Sequence, residues 1–401
     1  MRKPTRALVL LLCCFAVASA QTHKHSSAKN GKHNPFIASD NHGGFYLLYV
    51  ERANDKNNLM LRHSTDGRVF SAPSRVNNID GDAMVRNENP PKLAVAPNGD
   101  LYACWGMGAS HSEGNIRFAR STNGGKTFSP AITLNSDARK KPAGHAFQSI
   151  AVDKHGRVYV VWIDERNKKP GDRGADIWMA TSENAGKTFS PDRKILSDIC
   201  ECCRTHTAVD SAGRLFVAYR TVPRNGPMHR DILVARSDDG GKSFTAKAAS
   251  QDVWEINGCP VAGPSLSIDS KDQITVVWFT GSDDRPGLYY VTSTDHGATY
   301  STRKWLDADQ KVGKHAQAIA CSGGVFVAWD DEAQKSTSWG LLDPQKGMLQ
   351  KSAPFADASY PTVAASNDTV VIAGMLTATA DIFWRAESLP AALHSPLEKP
   401  R

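Results

Sequence analysis

Three patterns in this 401-residue chain predict an all-β fold, closed as a single β-propeller of seven four-stranded blades. A short turn sequence recurs five times at near-constant spacing, an apolar-aromatic stretch recurs seven times, and no amphipathic helical stretch of useful length appears. The turns are Ser64–Phe70 (STDGRVF), Ser121–Phe128 (STNGGKTF), Ser182–Phe189 (SENAGKTF), Ser237–Phe244 (SDDGGKSF) and Ser293–Tyr300 (STDHGATY), with first serines 55–61 residues apart. Each has the chemistry of a tight connection between strands. Asp or Asn hydrogen-bonds the backbone a few residues on, Gly permits positive φ, and the final aromatic tucks beneath the turn.

The apolar stretches count the units. In order they are Phe45–Tyr49, Leu101–Trp105, Val158–Trp162, Leu215–Tyr219, Ile274–Trp278, Val325–Trp329 and Val370–Gly374, with last residues 45–59 apart. Rich in β-branched and aromatic residues and bounded by turn residues, they read as buried strands. Each unit runs inner strand, turn, buried strand, variable loop, third strand, repeated turn, outer strand, which is a four-stranded blade. Blades cannot bury their faces alone, so the array must close into a ring. The last unit is short and lacks the repeated turn, and the stretch Asn34–Ser39 is expected to lend it an outer strand.

Residues 1–20 read as a signal peptide. Arg2, Lys3 and Arg6 precede the apolar run Ala7–Val17, and Ala18-Ser19-Ala20 is a small-x-small cleavage site. The expected product is exported, periplasmic or secreted. Residues 21–34 form a flexible lead-in, 35–389 the propeller and 390–401 a tail. The run is too short to span a bilayer and no later segment is apolar enough, so no membrane insertion is expected. The formal net charge is +7, with three of the cations in the leader, and no Lys/Arg run marks a nucleic-acid partner. A monomer binding a glycan or another anionic small ligand is the expectation.

Strand order separates two ends. If the inner strand runs from top to bottom, the repeated turns lie at the bottom, and the loops after the second strand and between blades lie on top. The top loops carry most of the unusual residues, as loops on a rigid scaffold often do. They include Arg86, Glu88 and Asn89, His145, Asp164-Glu165-Arg166, the run Cys200–His206, Arg220, Asp283-Asp284-Arg285, His315, Asp330-Asp331-Glu332 and Tyr360.

The turn pattern, Ser-x-Asp-x-Gly-x-x-aromatic, resembles the Asp box (BNR repeat) of the sialidase-type β-propellers, with four full copies and a first copy one residue short. The resemblance spans nearly the whole mature chain. It implies a structural role for Asp66, Asn123, Asn184, Asp239 and Asp295, and a six-bladed ring where the repeats count seven. In that family three arginines clamp a substrate carboxylate, a Tyr–Glu pair supplies the nucleophile and an Asp is the acid/base. Arginine forks match a carboxylate bidentately, and a neutral tyrosine attacks an anomeric centre beside a carboxylate better than an anion does. Carried onto this chain, the resemblance implies Tyr360, Glu165 and Asp164 as catalytic residues, and Arg204, Arg220, Arg166, His145 and His315 as ligand-binding. The family's early Arg-Ile-Pro motif has no counterpart, because the first inner strand reads Asn34-Pro35-Phe36-Ile37. The implied function is that of a sialidase-like glycoside hydrolase that acts on or binds glycans. The alternative is a non-catalytic ligand- or protein-binding propeller.

Six cysteines follow the leader, too few to be the framework of a domain this large. Cys200, Cys202 and Cys203 precede blade four and Cys259 precedes blade five, so four sulfurs can meet. One reading is a disulfide between the loops, for instance Cys203–Cys259 or Cys202–Cys259. The other is a soft-metal site for Cu or Zn, since thiolates favour those ions. Cys104 and Cys321 read as buried thiols in strands.

Overall fold

The structure, a computed structural model, describes residues 29–40, 42–108, 113–138, 143–282, 285–307 and 313–389. The leader, the tail and Asp283-Asp284 lie outside the described residues. Every regular element is a β-strand, and the strands form seven antiparallel sheets arranged as the blades of a ring. The inner strands are β1 (Gly31–Ser39), β5 (Lys92–Val95), β9 (His145–Val152), β13 (His206–Val209), β17 (Ser265–Ile268), β21 (Gly313–Cys321) and β26 (Ala358–Ser366). Their partners are β2 (Phe45–Ala53), β6 (Leu101–Met107), β10 (Val158–Asp164), β14 (Leu215–Arg220), β18 (Ile274–Thr280), β22 (Gly324–Asp331) and β27 (Thr369–Leu376). These seven partners contain the seven apolar stretches of the sequence.

Six blades have four strands in sequence order. In the sixth, the short β25 (Phe355–Ala356) also pairs with its third strand, β23 (Ser336–Asp343). The seventh stops at three strands, ending with β28 (Asp381–Ser388). The N-terminal stretch lends it no strand. Asn34–Ser39 belongs to β1, where Phe36 to Ser39 face Leu48 to Phe45 of β2 as the inner edge of blade one. β1 also begins at Gly31, inside the stretch read as a lead-in.

The ring therefore closes by packing. Ile37, Phe45, Leu47, Tyr49 and Phe70 of blade one share a core with Val371, Ala373 and Ile382 of blade seven. Lys32 N donates to Ala380 O at 2.8 Å, Lys32 Nζ pairs with Asp381 at 2.8 Å, and Ser39 Oγ donates to Ala365 O at 2.7 Å. In blades two, three, five and six a tryptophan near the end of the second strand fills the seam with the preceding blade. Trp105, Trp162, Trp278 and Trp329 are all fully buried, each among residues of two blades. Truncating such a side chain to Ala typically costs about 3–5 kcal/mol.

The five repeated turns are built alike. Ser64, Ser121, Ser182, Ser237 and Ser293 each donate Oγ–H to the Asp or Asn two residues on, at 2.7–3.0 Å. Each hydroxyl also accepts from the turn glycine's N–H at 2.8–3.0 Å. Those glycines have φ of 73–85°. A Cβ there would run into the neighbouring blade, for instance Leu61 beneath Gly125 and Met179 beneath Gly241. The turns thus lock one blade's lower edge onto the previous one, at the end of the ring opposite Arg204, His315 and Tyr360.

Candidate functional site

One irregularity repeats around the upper end of the channel. The register of inner strand against second strand slips by one residue in blades one, three, six and seven, each time near the upper end of the inner strand. At each slip a non-glycine residue takes positive φ: Asn34 (51°), Phe147 (55°), His315 (52°) and Tyr360 (52°). A bulge re-aims the side chains around it, and a left-handed non-glycine residue costs on the order of 1–3 kcal/mol. Here the bulges bring the His315 and Tyr360 rings together, centroids 4.4 Å apart.

Around this pair lies a pocket lined by Phe36, Glu88, Lys92, Arg204 and Gln317, among others. It sits above a channel cavity of about 290 Å³ walled by the inner strands, and Lys92 and Gln317 line both. Arg204 is 3 % exposed. Its Nη1 donates to Glu88 Oε1 at 2.6 Å and Oε2 at 2.5 Å, and its Nη2 to Ala316 O at 2.5 Å. With its amide oxygen turned inward, Gln317 accepts from Arg204 Nε at 3.1 Å. Asp330 accepts from His315 Nδ1 at 2.8 Å and from Tyr360 N at 2.9 Å. His315 Nε2 faces Val261 O at 3.1 Å. Both ring nitrogens face groups that only accept, an arrangement that favours the protonated ring. Burial opposes that charge, but Glu88 and Asp330 outweigh it and hold the His315 pKa above its ordinary value.

Burial, reinforced by the charges of Glu88, Asp330 and Glu332, pushes the Tyr360 phenol well above its ordinary pKa, so it stays neutral. Lys92 is 8 % exposed, its ammonium 4.6 Å from the Phe36 ring centroid. Among the described residues no carboxylate lies within ion-pair distance of it. Burial first, and then Arg204, lower its pKa to about 8. The pocket therefore holds three cations, Lys92, Arg204 and His315, against two carboxylates, Glu88 and Asp330.

The other residues singled out from the sequence lie elsewhere. Asp164 is buried at the seam of blades two and three, where it accepts from Trp162 Nε1 at 2.9 Å and from Arg166 Nη2 at 2.6 Å. Arg166 also pairs with Asp192 at 2.6 Å and lies 3.7 Å over the Trp178 ring. His145 belongs to the same network, with Nε2 at 3.1 Å from Asp137 and 3.3 Å from Asp164. Glu165 pairs with Lys168 at 2.9 Å on the rim. Arg220 is fully buried, bonded to the carbonyls of Ala262, Arg230 and Phe279. The structure thus brings Tyr360, Arg204 and His315 together and leaves Asp164, Glu165, Arg166, Arg220 and His145 out of that pocket. The carboxylates whose charge acts on the Tyr360 phenol are Glu88, Asp330 and Glu332. All three were visible as top-loop residues, but the backbone geometry that gathers them around the ring leaves no mark in residue type.

The cysteines form a second cluster. Cys202 and Cys259 are joined as a disulfide, with Cα atoms 6.2 Å apart. Cys200 and Cys203 are free, and Cys200 donates to Cys203 with the sulfurs 3.0 Å apart. Cys104 is also a buried free thiol, whereas Cys321 is half-buried.

No protein-family profile matches the chain, and no curated protein matches it in sequence. Solved structures do match its shape. An ulvan lyase described as a new polysaccharide lyase family superposes with a TM-score of 0.57 at 13% identity, covering 90% of this chain and 94% of that one. A Hadza microbial sialidase gives 0.53 at 14% identity, over 84% and 74%. A leech intramolecular trans-sialidase gives 0.52 at 11% identity, over 86% and 83%. The chain is a seven-bladed β-propeller of sialidase-like fold. At these identities the likeness establishes the fold alone.

Proposed function

We propose that this propeller engages an acidic glycan at the upper mouth of its channel, and that its most specific activity is hydrolysis of a terminal, sialic-acid-like sugar. The observation that carries the reading is the charge surplus beside Tyr360. Lys92, without a carboxylate partner among the described residues, opens onto the channel next to Arg204 and the His315–Tyr360 pair. An anionic ligand supplies the missing negative charge, and a buried cation gains more from it than a hydrated one. The neutral Tyr360 phenol is suited to attack an anomeric centre, with Glu88 taking its proton. The solved structures of similar shape act on sialosides and on ulvan, in keeping with a sugar ligand.

A second reading, a non-catalytic glycan-binding platform, is favoured by Arg204 itself. Its donors are already taken by Glu88 and Ala316, and among the described residues no second arginine lines the pocket. In either case we propose an exported protein, on the strength of the leader read from the sequence.

The test is turnover of a fluorogenic sialoside and of a uronate polysaccharide by the purified protein, with a glycan array for binding. Loss of at least about a hundredfold in turnover in Tyr360→Phe supports catalysis. Binding without turnover moves the conclusion to the platform. A folded protein that binds no acidic glycan overturns both.

A further inference from the structure

We propose that Cys200 and Cys203 form a two-thiolate site for a monovalent soft cation, Cu(I), buried where the top loops of blades three, four and five meet. Two observations carry it, one about sulfur and one about charge.

The sulfurs are gathered already. Cys200 Sγ lies 3.0 Å from Cys203 Sγ and 3.7 Å from Cys202 Sγ, and all three cysteines are buried. Cys202 is committed to its disulfide with Cys259. Cys200 and Cys203 remain as a dithiol in an apolar surround that includes Ile177, Ile199 and Val222.

The charge is the less obvious part. Arg220 is fully buried and, among the described residues, hydrogen-bonds to the carbonyls of Ala262, Arg230 and Phe279. Arg230 is 5 % exposed and bonds the carbonyls of Ile256 and Gly258, Met228 Sδ at 3.5 Å, and Cys200 Sγ at 3.2 Å. Among the described residues, no carboxylate lies within ion-pair distance of either guanidinium. Two buried cations without a counter-charge are costly, and the group beside them able to carry negative charge is the sulfur pair. Cu(I) bound between the two sulfurs supplies that charge: both cysteines bind as thiolates, each proton they carry leaves to solvent as its S–H bond breaks, two S–Cu bonds form, and the bis-thiolate complex carries one net negative charge. No oxidant or reductant is needed. Zinc would cancel the negative charge and leave both arginines uncompensated. The site therefore selects a monovalent ion, although thiolates in general accept both metals. The thioether of Met228 adds a soft donor nearby.

The full-length mature protein, kept anaerobic, is titrated with Cu(I) against a chromophoric chelator. The expected result is one Cu(I) per chain with release of protons, the Cys202–Cys259 disulfide intact on peptide mapping, and Zn(II) bound at least about a hundredfold more weakly. C200S and C203S should each lose at least about a hundredfold in affinity, while C104S and C321S keep it. Because a cysteine variant can misfold, the wild-type protein is also alkylated under denaturing conditions with and without Ag(I), which should shield two thiols. Absence of Cu(I) uptake, equal affinity for zinc, indifference to C200S and C203S, unshielded thiols, or a Cys200–Cys203 disulfide in freshly isolated protein each overturns the proposal.

Discussion

Lys92 shows how much one residue's surroundings decide. Its ammonium sits over Phe36 without a carboxylate in ion-pair range among the described residues, and its pKa falls to about 8, mainly through burial. In the unfolded chain the same group titrates near 10.4, so between those values the unfolded state holds more protons and stability rises with pH. Below pH 8 the buried charge costs the fold roughly 3 kcal/mol, and that cost is relieved as pH climbs toward 10. Lys92→Met should therefore stabilise the protein at neutral pH, with a gain that fades in alkali, as thermal melts from pH 7 to 10 will read. A gain independent of pH would show that the charge is compensated. The same variant should weaken binding of an acidic glycan at least about tenfold, and wild-type binding should itself decline as pH passes 8. Lys92 opens an inner strand, and its isolation from carboxylates is not legible in the sequence, because Glu88, four positions earlier, turns to Arg204 instead.

At the scale of an element, the repeated turns and the inner-strand bulges are opposites. The turns announce themselves in residue type, since each needs a hydroxyl, an Asp or Asn, and a glycine in the left-handed region. Gly241, at φ 85° and set against Met179, is representative. Gly241→Ala should cost about 1–3 kcal/mol and lower the melting temperature by a few degrees. Glycan binding at the far end of the channel should not change, and a loss of affinity without a loss of stability would place a ligand at the turns. The bulges leave no such signature, because Asn34, Phe147, His315 and Tyr360 do not share a residue type with a backbone preference for the left-handed region. What they share is a position where two residues of the inner strand face one of its partner. The loop pair at Cys202 and Cys259 is intermediate. Its sulfurs were recognisable as neighbours, but which of them pairs, Cys202 rather than Cys203, was decided only in the folded loops. Removing that disulfide with Cys259→Ser should cost about 4 kcal/mol by chain entropy for its 57-residue separation, measured by denaturant unfolding.

For the whole molecule, closure is the decisive event. Blades one and seven meet through side chains and a few hydrogen bonds, with no strand shared across the junction. A ring joined in this way should still unfold as one unit, because opening any seam exposes two apolar faces at once. Ile382→Ala, which thins that seam, should lower stability by about 2–4 kcal/mol while leaving a single transition of unchanged steepness. An early, separate transition would mean that blade seven frays independently. The expectation of a borrowed outer strand failed for a reason at this scale. A missing repeated turn shows that blade seven is short, but whether Asn34–Ser39 completes it or starts blade one depends on pairing with Leu48 to Phe45.

The sequence by itself determined the all-β class, the seven units, the second strands and the turns beneath them, because these rest on local periodicity and on residues with fixed backbone preferences. It also marked the upper loops as the place to look. Only the tertiary structure decided which charges meet there. Arg204, Arg220 and Arg166 are alike as residues, yet one flanks the channel mouth, one lies beside the sulfur cluster and one is locked in the seam of blades two and three. Their roles follow from long-range closure of the ring and from bulges that local sequence does not encode.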